Sequence, residues 1–462
     1  MKRVLFAKLT LAALAITTAS SSLAQVALIA KGTLTGSSAG SYADLSGLQG
    51  NLENGVPANL LGGLGSGMAF VSGDEFLVLP DRGPNAVGYD SAIDDTVSYI
   101  NRFHTVRMHL QPAGGGTLPY TIAPELRSTT LLSSVPPLVY GTGEGIGVGD
   151  GAPSLNRPNL HYFTGRSDNF DPDKDSGNSK NGRFDTESIR VSNDGQSVFI
   201  SDEYGPYVYQ FDRFSGQRLR SFRLPDKFDV TTLSAQGAVE IANNSAGRVA
   251  NKGMEGLAIT PDGLTLVGIM QNALIQDAAE GGAAASMLRI VTMDIRSGRT
   301  THEYAYELTT GSGVSDIVAL NNHEFLVDER DGKGLGDGSK AKVKQLFKID
   351  LQNAVDVSNM NGTAAASNAV PKTLFLDLVA VLTANGITTD QIPAKIEGIA
   401  FGPDVEGSSG KTHTLWVAND NDFLQDLNGP NTNPNQFFVF GFTQADLGSS
   451  VFVPQQIGDS KQ

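Results

Sequence analysis

The 462-residue chain has no cysteine, so no disulfide can brace it and its core must be large enough to hold without one. Positive charge is also scarce: 34 Lys and Arg stand against 49 Asp and Glu, a net charge of −15. That balance argues against nucleic acid or an anionic membrane surface as a partner. It suits the binding of divalent cations, and it suits solubility equally well. Long apolar runs are missing too. The nearest, "LTLAALAI", follows Lys2, Arg3 and Lys8 and precedes "SSLA", with Ser22 and Ala24 at cleavage positions. It is too short to cross a bilayer and reads as the heart of a secretory signal peptide over residues 1–24. No cysteine follows it, which rules out a lipid anchor. The remainder, residues 25–462, is expected to be a soluble monomer, periplasmic or secreted from a bacterium. Amphipathic helices are few, and "FLDLVAVLTANG" (375–386) is the best of them.

Glycine is abundant, at 53 residues, and short alternating segments rich in Val, Ile, Phe and Leu fill most of the chain. The protein is mainly β. One register aligns "GSGMAFVSGDEFLVLPDRGPN" (65–85), "DTESIRVSNDGQSVFISDEYGP" (185–206), "GMEGLAITPDGLTLVGIMQN" (253–272), "VSDIVALNNHEFLVDERDG" (314–332) and "IEGIAFGPDVEGSSGKTHTLWVANDND" (396–422). Each has a strand, a turn, a second strand and a polar cluster. Third strands follow as "FHTVRMHL", "YVYQFD", "MLRIVTMDI", "QLFKIDL" and "QFFVFGF". Repeats of this kind predict an all-β propeller, with a β-sandwich as the alternative. Five blades are visible, and a sixth is expected from residues 26–60 and 111–184. Residues 141–184 read as an insertion or lid, and 358–370 as a mobile loop.

Starts of inner strands face a propeller's central channel. The repeat puts Ser66, Glu187, Glu255, Asp316 and Glu397 at that joint. It puts Asp81-Arg82, Asp202-Glu203, Gln271-Asn272, Asp328-Glu329 and Asn419-Asp420 at the second. Converging carboxylates repel and raise one another's pKa, and a hard cation relieves this. Oxygen ligands suit Ca²⁺, or alternatively Mg²⁺ or Mn²⁺. The expected ligands are Glu187, Asp202, Glu203, Glu255, Glu397, Asn419 and Asp420. Asp328 or Glu329 would serve as base, with His161 a further candidate. Arg82, Arg166 and Arg102 could each bind an anionic substrate or serve in a salt bridge. The plainer reading is that these acids bond loop amides and pair with arginines such as Arg82 and Arg330. Three other motifs fail on spacing or context: "DPDKDSG" (171–177) as a calcium loop, "GSSAG" (36–40) as a nucleophile turn, and "GSSGKT" (407–412) as a phosphate loop.

The stretch "FTGRSDNFDP…NGRFDTESIRVSNDGQSVFISDEYGPYVYQFDRFSGQRLRSFRLPDKF", with "GMEGLAITPDG", "DERDGKG" and "IEGIAFGPD", resembles the bacterial exported family known as esterase-like activity of phytase. The resemblance implies a propeller, export, and hydrolysis of a small anionic ester or phosphate ester. The Arg-His-Gly motif of histidine acid phosphatases is absent. The Glu and Asp-Glu joints are also similar to those of calcium-dependent propeller lactonases. A different class stays open beside the hydrolase: a non-catalytic propeller binding or scaffold module with a structural metal.

Overall fold

Period-two alternation forces successive side chains onto opposite faces, and in a segment such as "SVFISD" both faces are apolar enough to be covered. Ser197–Asp202 is indeed buried along its whole length. A computed structural model of the chain describes residues 26–85, 97–141, 151–407 and 410–458. The signal peptide expected over 1–24 lies outside the described residues.

Among the described residues, five four-stranded antiparallel sheets form the body of the molecule, with three two-stranded ladders beside them. The first blade runs Gly67–Ser72, Glu75–Leu79, Arg102–Arg107 and Glu125–Leu131 from the axis outward. The second is Thr186–Val191, Ser197–Asp202, Tyr207–Asp212 and Arg218–Arg223. The third comprises Met254–Ile259, Thr265–Met270, Met287–Asp294 and Arg299–Glu307. Gly313–Ala319, Glu324–Arg330, Lys344–Asp350 and Lys372–Asp377 make the fourth. In the fifth, Lys395–Gly407, Gly410–Asp420 and Asn435–Phe442 are completed by the N-terminal strand Ala27–Leu34. Each innermost strand packs on the next, and the fifth returns to the first. The chain is a closed propeller.

The ring closes with five blades, not six. Residues 26–60 supply the outer strand of the fifth blade, and 111–184 supply the outer strand of the first. Beyond that, the described part of the 141–184 insertion has only the two-residue strand His161–Tyr162, too little for a blade. Two further expectations change. "FLDLVAVLTANG" splits, its first residues ending the strand Lys372–Asp377 and the rest forming the helix Leu378–Ala384. Asp377 caps that helix by accepting from the Ala380 amide at 2.9 Å. The segment 358–370 is pinned, because the Val357 and Val370 amides flanking it donate to the Glu303 and Ala305 carbonyls at 2.8 Å.

Apolar side chains gather between blades. Met68, Phe76, Val78, Ala400, Trp416 and Val439 fill the seam between the fifth and first, for example. Comparable clusters lie at the other four seams, so the core is a set of wedges that needs no disulfide. Among the described residues no helix is long and apolar enough to cross a membrane.

Candidate functional site

Strand pairing fixes which side chains reach the axis. Thr186 lies opposite Asp202, Met254 opposite Met270, Val314 opposite Glu329, and Ile396 opposite Asn419. The pairing register shifts just after each of these on the inner strand, and a bulge there re-aims the residue that follows. On the inner strands those residues are Glu187, Glu255, Ser315 and Glu397. On the second strands the residues that follow are Glu203, Gln271, Arg330 and Asp420. Ser66 and Asp81 take the matching places in the first blade. Contacts between blades show that this set converges. Glu187 and Glu203 both feel Glu255, Asp81 feels Asp420, and Arg330 pairs with Glu397.

Three cations serve this mouth. Arg330 pairs with Glu397 and donates from Nε to Ser315 Oγ at 2.9 Å. Lys395 Nζ lies 2.8 Å from Asp420 and 2.5 Å from Asp422. Arg82 Nη1 is 3.2 Å from Asp185. Burial pushes Asp420 up, but Lys395 overcomes that and holds it below the usual carboxylate range.

Relief is weaker at Glu187, Glu203 and Glu255: Arg82 acts on Glu203 and Arg330 on Glu255, but neither forms an ion pair with them. The three glutamates are 6%, 2% and 3% exposed, and none forms an ion pair among the described residues. Asp185, Glu187 and Glu203 each offer a carboxylate oxygen within 4.8 Å of the others. Glu203 bonds to Glu255, and Gln271 bonds to Glu255 as well. Even so, Glu203 Oε1 and Glu255 Oε2 are buried with no hydrogen-bond partner. Burial, and then the neighbouring acids, push Glu187 and Glu203 well up. Burial and Glu397 raise Glu255 to about 8. Orphaned carboxylate oxygens in a hard donor set fit a divalent cation.

Other expected site residues go elsewhere. Asp202 accepts the Asp185 and Tyr204 amides at 3.2 and 3.0 Å, which makes it a loop anchor. Asn419 accepts the Gln436 amide at 2.5 Å and faces the next strand of its blade. Glu329 bonds Tyr306 Oη at 2.5 Å, Ser312 Oγ at 2.9 Å and Lys372 Nζ at 2.5 Å, in the seam with the third blade. The register gives its place at the mouth to Arg330. Asp328 lies opposite Asp316, fully buried, with both carboxylate oxygens unpartnered. His161 pairs with Ser134 in a short ladder on the insertion, outside the ring. Arg166 forks onto Asp168 at 2.6 and 2.9 Å. Arg102 is buried against Asp44 at 2.5 Å. Arg82 does stand at the mouth, and its Nε is buried without a partner.

Asp316 is not a mouth residue either. It occupies the position of Gly67, Ser188, Gly256 and Gly398, where the inner strands crowd the axis. A Cβ on Gly67 would sit 2.8 Å from the Glu187 carbonyl oxygen, and one on Gly256 would sit 2.9 Å from Asp316 Cα. Sequence alignment missed Asp185, Lys395 and Asp422, gave Gln271 no role, and offered Arg330 only as an ion-pair partner for the acids, which is the place it takes beside Glu397. The signal lay in the apolar residue two places after each joint: Ile189, Leu257, Ile317 and Ile399. Aligning on these puts Ser315 rather than Asp316 in register.

A solved luciferin-regenerating enzyme superposes with a TM-score of 0.33 at 11% identity, over 86% of this chain and 97% of its own. A gluconolactonase from Xanthomonas campestris gives 0.31 at 10% identity, over 90% and 97%. Superpositions of that quality carry neither fold nor chemistry from one chain to the other. An uncharacterized secreted protein of Arthroderma benhamiae is 30% identical over 289 residues, 55% of this chain. That match spans about half of the relative, 54% of its length. The model of the phytase-like family, described as esterase-like activity of phytase, matches residues 59–423. With most of the chain and all the inner strands inside that match, this propeller belongs to the esterase-like activity of phytase family.

Proposed function

We propose that the protein is an exported, metal-dependent hydrolase of small anionic phosphate or carboxylic esters, working at the upper mouth of the propeller. One observation carries the reading: Glu187, Glu203 and Glu255 are buried together, Glu203 Oε1 and Glu255 Oε2 have no hydrogen-bond partner, and none of the three forms an ion pair among the described residues. These three would hold a divalent ion, with Asp185 within reach of Glu187 and Glu203. Their hard oxygens favour Ca²⁺, with Mg²⁺ or Mn²⁺ as alternatives. Such an ion supplies Lewis acidity toward a phosphoryl or acyl oxygen and lowers the pKa of bound water. Arg82, with its free Nε, would meet the substrate's anionic group. Glu397 and Asp420, already tied to Arg330 and Lys395, would hold those cations in place. Export is supported by the n-region and apolar run at the N-terminus and by the family relative described as secreted.

The burial of all three glutamates favours a second reading, in which the ion is structural and the propeller only binds. A glutamine at Glu187 separates the two. With chelated and Ca²⁺-loaded protein, phytate, p-nitrophenyl phosphate, a phosphodiester, short acyl esters and a lactone are assayed in turn. The hydrolase reading expects Ca²⁺-dependent turnover on at least one of them, and a loss of about 100-fold or more in Glu187→Gln. Turnover on none, with a melting temperature that still falls on chelation, leaves the structural ion.

A further inference from the structure

Two acidic groups of the same size face this mouth. Asp185, Glu187 and Glu203 form one, and Asp81, Asp420 and Asp422 form the other, each with carboxylate oxygens within 4.8 Å. The strand register relates them. Lys395 pairs with Asp420 on the fifth blade, and the Glu203 amide donates to the Asp185 carbonyl at 2.9 Å on the second. Lys395, Glu397 and Asp420 therefore repeat Asp185, Glu187 and Glu203 position for position. One residue differs in sign: an ammonium stands where the second blade has a carboxylate.

That ammonium sits among the acids of the second group, 2.8 Å from Asp420 and 2.5 Å from Asp422, and is attracted by Asp81 as well. We propose that Lys395 is a built-in cation. It fills the position a second divalent ion would take, so the mouth holds one exchangeable ion, at the second and third blades. Charge supports this division. The acids around Lys395 have cations of the chain beside them, Lys395 on Asp420 and Asp422 and Arg82 near Asp81, and none keeps a buried unpartnered oxygen, whereas Glu203 and Glu255 each do. A fixed ammonium also cannot leave under chelation, so one side of the mouth keeps its positive charge whether or not an ion is bound. The inference rests on the ion-site reading given above, and ion stoichiometry tests the two separately.

Chelator-stripped full-length protein is titrated with Ca²⁺ by calorimetry, with native mass spectrometry as a second count. The wild type should take about one ion, and Lys395→Asp, which restores the second-blade pattern, about two. Lys395→Met removes the ammonium without adding a ligand and should take a second ion more weakly, which keeps the test open should the aspartate variant fail to fold. Two ions in the wild type, or one in both the wild type and a folded Lys395 variant, would overturn the role given to Lys395. No ion in the wild type but one in Lys395→Asp would sink the glutamate site and leave the role of Lys395 standing. No ion in either protein would overturn both.

Discussion

Glu255 holds the charge problem of the ring in one side chain. Burial first, and Glu397 next, raise its carboxyl from 4.5 to about 8. Between those values the folded chain keeps a proton that the unfolded chain has released. Stability of the metal-free protein therefore falls as pH rises through that window. Ca²⁺ binds the deprotonated form, so its protection should grow over the same range. Melting curves of chelated protein from pH 5 to pH 8 should show the decline, and added Ca²⁺ should flatten it; Glu255→Gln should lessen both effects, with Glu187 and Glu203 carrying the rest. A chelated protein equally stable at both ends would show that the glutamates are compensated in some other way. Sequence made the acids at this scale visible, because carboxylates at turn positions stand out. It did not show which were already spoken for. Glu329, Asp202 and Asn419 have the right chemistry, but each sits one residue out of phase, and a slip of one turns a side chain to the other face.

Alternating segments identified nearly every strand of the blades, yet the element that closes the ring escaped. Ala27–Leu34 pairs with Asn435–Phe442, some four hundred residues away, and no local pattern announces such a partner. The helix expected at 375–386 failed for a related reason. "FLD" is apolar enough for either state, and pairing with the neighbouring strand decided it. The closing strand should behave as a clasp. Leu28 is 4% exposed and packs with the cluster between the fourth and fifth blades. Leu28→Ala should cost about 2–5 kcal/mol in urea denaturation, from lost burial and the cavity left behind. Lys31→Ala, on the same strand but exposed, should stay within about 0.5 kcal/mol. Equal costs would mean that the strand lies on the fifth blade without holding it.

At the scale of the whole molecule the blades are tied at their common axis, below the mouth. Arg190 of the second blade donates to both oxygens of Asp316 on the fourth, at 2.9 and 2.8 Å. It also donates to the Met68 carbonyl of the first blade at 2.6 Å. The Ile399 amide of the fifth reaches Asp316 at 3.1 Å. Ser188 Oγ lies 2.9 Å from Asp316 and 3.3 Å from the Leu257 carbonyl of the third. One buried ion pair, with Ser188 bonded to it, thus links every blade. Glycine at the equivalent positions of three blades leaves the room for it, which is why a sequence with an aspartate there looked like one more member of the mouth. Breaking the pair strands a charge in the interior. Asp316→Asn should therefore cost about 3–5 kcal/mol, as buried pairs do when one partner is removed. Adding Arg190→Met to that variant should recover part of the loss, because the stranded guanidinium goes with it. Chemical denaturation of the two single variants and the double variant measures the coupling. A single variant costing less than about 1 kcal/mol, or a double variant no better than the worse single, would move the tie between blades from this ion pair to the apolar wedges between them.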